Sequence, residues 1–151
     1  MFKLRTDGPV EFNDKVRLTP EGGVAICLLN KTGGPSVKGS LVELCEEVTD
    51  PDDAVQLTEA NSTDPIGVMY EAGVADGDPC WVVVSGRAQV LLQDRVDGQR
   101  GYWLGTGGAP GRANCVETPG LLLQHMQEIG HCSQSIAGGT NVLVYGILHF
   151  N

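Results

Sequence analysis

Ile66-Gly67-Val68-Met69-Tyr70, then Gly77-Asp78, then Cys80-Trp81-Val82-Val83-Val84: this stretch decides the fold. An Ile-Gly segment leads through a glycine-containing turn into a short, strongly apolar run. That run is too short for an ordinary helix and rich in β-branched residues, so it reads as a buried strand. The same succession occurs again downstream. Glu128-Ile129-Gly130-His131 leads through Gly138-Gly139-Thr140 into Val142-Leu143-Val144-Tyr145-Gly146-Ile147-Leu148. Each module has its own opening, Gly39-Ser40-Leu41-Val42 and Gly101-Tyr102-Trp103-Leu104. The openings lie 62 residues apart and the Ile-Gly pairs 63 apart. Two related strand–turn–strand units, 39–84 and 101–148, are expected on one core, because either alone would expose a hydrophobic sheet face. Two hairpins alike only in composition are the alternative.

Outward from these units, the pattern stays β. Val24-Ala25-Ile26-Cys27-Leu28-Leu29 is a short apolar run between Gly22-Gly23 and Gly33-Gly34-Pro35, and reads as a buried strand. Arg87 to Leu92 and Asn114 to Glu117 read as further strands, with an Asp97-Gly98 turn between them. Residues 1–23 carry Asp7-Gly8-Pro9, Asn13-Asp14, Pro20 and Gly22-Gly23, and read as an extended N-terminal arm before an all-β domain at 24–151. The single helix candidate is Leu121 to Ile129, where Leu122, Met126 and Ile129 recur at helical spacing. A loop across a barrel end competes with it. Glycine (21) and proline (8) are spread along the 151 residues, which suits short strands and tight turns. The expectation is a single all-β domain of barrel or β-tulip type.

Charge narrows the partners. Residues 1–38 hold six Lys/Arg and four Asp/Glu; residues 39–86 hold eleven Asp/Glu and no Lys or Arg; residues 87–151 hold four of each. The formal charge of −9 repels nucleic-acid phosphate and anionic lipid, so neither nucleic acid nor membrane is an expected partner. The acidic stretch reads as a solvated face, or as an outward-facing body behind a basic arm. No apolar run has signal-peptide or transmembrane length, so secretion is not expected.

No catalytic, cofactor or metal residues are expected from the sequence. Cys27, Cys45, Cys80, Cys115 and Cys132 are widely spaced, odd in number and without a CxxC, and read as small buried hydrophobes. His131-Cys132 is the tempting nucleophile–base pair, but neighbours in a strand point to opposite faces. His125 and His149 could reach Cys132 only through folding. His125 and His131, six apart, match no familiar zinc spacing. Asp50-Pro51-Asp52-Asp53 is acidic but lacks the glycine and distal Glu of a calcium loop, and reads as a solvated turn, with a weak cation site as the alternative. Gly105-Thr106-Gly107-Gly108-Ala109-Pro110-Gly111 has no P-loop Lys and reads as a flexible surface loop. Arg87, Arg95, Arg100 and Arg112 are isolated, and no stacking platform for single-stranded nucleic acid forms around the tryptophans.

The run from Ile66 to Val74, followed by Gly77-Asp78-Pro79-Cys80-Trp81-Val82-Val83-Val84-Ser85-Gly86-Arg87-Ala88, resembles the core of head decoration (cement) proteins of tailed bacteriophages. Val37-Lys38-Gly39-Ser40-Leu41-Val42-Glu43-Leu44 fits their strand opening. Glu128-Ile129-Gly130-His131-Cys132 and Leu148-His149-Phe150-Asn151 are similar to the endings of phage structural proteins. The resemblance spans residues 37–151 and leaves the arm outside. It implies a β-barrel or β-tulip protein, often trimeric, made in the host cytoplasm. Such a protein sits on the outer capsid surface between major capsid protein subunits and stabilises the expanded shell without catalysis or a cofactor. Two alternatives stand beside it. One is a tail-fibre or baseplate module for cell-surface glycans. The other is a cysteine-dependent hydrolase built on Cys132 or Cys80 with a histidine.

Overall fold

The computed structural model describes residues 11–47 and 53–150. They form eleven strands and one short helix: β1 (Glu11–Asn13), β2 (Val16–Leu18), β3 (Gly23–Asn30), β4 (Leu41–Leu44), β5 (Ala54–Leu57), β6 (Gly67–Met69), β7 (Pro79–Leu91), β8 (Trp103–Thr106), β9 (Ala113–Val116), α1 (Leu122–Met126), β10 (Glu128–Cys132) and β11 (Leu143–Leu148). The protein is an all-β single domain. Among the described residues no helix is long and apolar enough to cross a membrane.

One strand organises the molecule. β7 runs for thirteen residues through both apolar stretches that the sequence separates at Ser85-Gly86. Its first half pairs with β3 on one edge (Val83 opposite Ala25) and β6 on the other (Val83 opposite Val68). Its second half pairs with β11, from Gly86 opposite Leu148 to Leu91 opposite Leu143. Gly86 is where the partners change, with φ of +84°, a conformation that L side chains rarely adopt. A Cβ there would collide with the Gly22 carbonyl of the neighbouring turn.

Two rings of strands share this spine. In the first, β3 pairs with β7, β7 with β6, β6 with β4, β4 with β5, and β5 returns parallel to β3 through Leu29 opposite Ala54. In the second, β7 pairs with β11, β11 with β10, β10 with β8 and β8 with β9. That ring closes where Ala113 of β9 bridges Leu92 in parallel. The pairing order is therefore the same in both halves, β4 to β7 corresponding to β8 to β11. Closure leaves few free sheet edges, which suits a molecule made of short strands.

Burial follows the alternation. Leu28, Val42, Val55, Met69, Cys80 and Val82 form one cluster. Their sequence neighbours Leu41, Val68 and Val83 point the other way and join Val90, Leu92, Leu104, Ala113, Ile129, Cys132, Val144 and Leu148 in a larger one. Adjacent residues of one strand thus feed two cores, as the period of two requires.

Three expectations change. Residues 11–23 are not a free arm: β1 and β2 form a hairpin on β3, with Val16 opposite Ile26 and Leu18 opposite Val24. Val16-Arg17-Leu18 is a strand held between β1 and β3, and Arg17 lies over Trp81, 5.1 Å from its ring centroid. Residues 1–10 lie outside the described residues. The Gly105 to Gly111 stretch is no flexible loop. Gly105 and Thr106 belong to β8, Leu41 N–H donates to the Gly111 carbonyl (2.9 Å), and Ala109 N–H donates to the Gln93 side chain (2.7 Å). The helix, finally, covers only Leu122–Met126, and Ile129 lies beyond it in β10, fully buried.

Candidate functional site

β10 carries an irregularity that sets the chemistry of its outer face. Against β8, Glu128 lies opposite Gly105 while Gly130 lies opposite Leu104, so two steps on β10 match one on its partner. In a regular strand, residues three apart point to opposite faces. A bulge removes that rule locally and re-aims side chains. Here it sends Ile129 and Cys132 together into the core and leaves Glu128 and His131 together on the other face. Gly130 makes the bend possible: its φ is +150°, and a Cβ would collide with the Ile147 carbonyl.

β11 supplies the third group. His131 lies opposite Ile147, and the His149 N–H just past the strand donates to the Ile129 carbonyl at 2.9 Å. His149 is thereby the diagonal neighbour of His131, within reach of long side chains. The two rings stack with centroids 5.1 Å apart and 29° between planes. His131 Nδ1 and His149 Nε2 are 3.0 Å apart, so one ring donates a hydrogen bond to the other. Glu128 Oε1 lies 3.4 Å from His149 Nε2 and 3.8 Å from His131 Nδ1. The carboxylate is nearly buried, whereas both imidazoles are half exposed.

Immediately before this strand stands an apolar projection. Leu121, Leu122, Leu123 and Met126 are 67, 81, 53 and 52% exposed, and no residue of α1 is buried. The Leu122–Met126 spacing that suggests a core-facing stripe instead faces outward. The Gln124 side chain holds the turn, its Oε1 accepting from Gly120 N–H (2.5 Å) and Leu121 N–H (3.1 Å).

The remaining candidates fall into place singly. Cys80 and Cys132 are buried, while Cys27, Cys45 and Cys115 are partly so, and all five are free thiols. Burial pushes the Cys80 thiol up to about 11, away from nucleophilic use. Cys132 Sγ donates to the Gln134 carbonyl, on the side of the strand away from His131. Asp50 to Asp52 lie outside the described residues, and Asp53 is exposed. Glu43 faces an open acidic groove beside Glu46, Glu59 and Asp64, but its oxygens already accept from Gln56 (3.1 Å) and Ser62. Arg112 reaches Asp94 (3.2 Å) and Asn141 (2.6 Å) and braces the second ring where it closes. Sequence reading missed the cluster of Glu128, His131 and His149. Only Glu-x-x-His at 128–131 hinted at it, and strand periodicity argues against that pair sharing a face.

No protein-family model matches the chain, and no curated protein matches it. Among solved structures, the fold is similar to the crystal structure of the N base of head fibre gp8.5 from bacteriophage phi29. The TM-score is 0.58 at 20% identity, over 83% of this chain and 92% of that one. At that identity the likeness is one of fold.

Proposed function

We propose that this protein is a non-catalytic structural component of a tailed-phage virion, carried on the outer surface of the capsid. There it binds the major capsid protein and stabilises the shell. The observation that carries this reading is the fold likeness to the base of a head fibre across most of both chains. The exposed apolar projection of Leu121, Leu122, Leu123 and Met126 supports it, because four large apolar side chains in one short segment mark a surface built to be covered. The raised thiol pKa of Cys80 speaks against that residue as a nucleophile. Self-association into a trimer fits a role repeated over a symmetric shell.

Incubating purified protein with expanded heads that lack it, then sedimenting the heads, tests the reading. Saturable co-sedimentation, with light scattering reporting a trimer in free solution, supports it. A strict monomer that leaves every head undecorated sinks it. Immuno-electron microscopy that labels tails rather than heads would replace it with the tail-fibre or baseplate reading.

A further inference from the structure

Two imidazole nitrogens and one carboxylate oxygen lie within 3.8 Å of one another beside the β10–β11 pair. A four-coordinate ion with bonds of about 2.0–2.1 Å holds its donor atoms about 3.4 Å apart. The donor separations here are 3.0, 3.4 and 3.8 Å, scattered around that value. A circle through the three donors has a radius of about 2.0 Å, so an ion at ordinary bond length from all three sits just above their plane. The half-exposed rings leave its remaining position open to solvent.

The contacts without an ion are less complete. One proton shared between the rings satisfies the imidazole pair. Glu128 Oε1 still stands 3.4 and 3.8 Å from the ring nitrogens, beyond the usual 2.7–3.2 Å of an N–H···O bond. The nearly buried carboxylate thus stands close to two ring nitrogens without a hydrogen bond to either, at separations that a shared cation would bridge. All three groups are anchored in or beside paired strands, and the bulge at Gly130 fixes two of them on one face. Such preorganisation is what a metal site requires.

We propose that Glu128, His131 and His149 form a surface site for one divalent transition-metal ion, zinc in the first instance, with one coordination position free for water or an incoming donor. The donor set favours zinc over calcium or magnesium, which take oxygen ligands. No thiolate takes part, since Cys132 faces the core. The inference is independent of the virion reading.

The test uses the full chain, stripped with a chelator and titrated with Co2+ as a spectroscopic probe and with Zn2+ by calorimetry. The expected result is one equivalent bound, visible d–d bands without thiolate charge transfer, and displacement of Co2+ by Zn2+. His149→Gln and Glu128→Gln each weaken binding at least tenfold, while Cys132→Ala leaves it unchanged. Zn2+ raises the melting temperature of the parent protein and not of His149→Gln. Absence of a stoichiometric Co2+ band in the parent protein overturns the proposal, whatever the variants do. So does a thiolate charge-transfer band, or undiminished binding by folded His149→Gln.

Discussion

Gly130 shows how one residue without a side chain arranges three that have them. Its φ of +150° and the Ile147 carbonyl, which occupies the place a Cβ would take, leave no room for a side chain. Gly130→Ala is therefore expected to destabilise the protein by at least about 2 kcal/mol, read as a lowered urea midpoint. It should also separate Glu128 from His131. The buried thiols make a second prediction at this scale. Burial raises Cys80 from the usual 9.0 to about 11, and Cys115 likewise, so the folded state favours the neutral thiols. Their contribution to stability is complete below about pH 9 and is lost as pH rises through about 11. Thermal melts across that window should show a falling melting temperature, and the fall should be shallower in Cys80→Ala.

At the scale of elements, α1 and β10 are consecutive and opposite in character. α1 buries nothing, so Leu122→Ser should move the unfolding free energy by less than about 0.5 kcal/mol. The same substitution should weaken head binding in the sedimentation assay, separating a covered surface from a structural one. Sequence reading located most strands, because glycine-bounded apolar runs such as Val24 to Leu29 leave few other conformations. It misjudged Leu122 and Met126 because helical spacing reports a shared face and is silent on whether anything packs against it, and it misjudged Ile129 because the helix ends at Met126 and Ile129 is buried in β10. The histidine cluster was illegible for a related reason. Residues 128 and 131 share a face only through a bulge, and 131 meets 149 only through the β10–β11 register.

For the whole molecule, β7 is the shared wall of both rings, and its alternating side chains enter both cores. Neither ring closes without it, so urea unfolding should be a single transition with coincident probes. Leu104, fully buried in the second ring, tests this from a distance. Leu104→Ala should cost about 2–5 kcal/mol and shift the whole transition rather than split it. Tryptophan fluorescence and far-UV circular dichroism provide the two probes, since Trp81 lies in the first ring and Trp103 in the second.

The sequence by itself determined the all-β class and the doubled strand–turn–strand pattern. Alternation, glycine punctuation and short apolar runs act locally, and local chemistry is written residue by residue. Tertiary structure alone decided that the two patterned stretches at 79–84 and 87–91 are one strand and that residues 11–23 pair with the sheet. It alone brought Glu128, His131 and His149 together. Each of these depends on which strand lies beside which, and in what register. Hydrogen bonds between distant segments set that arrangement, and no window of neighbouring residues contains it.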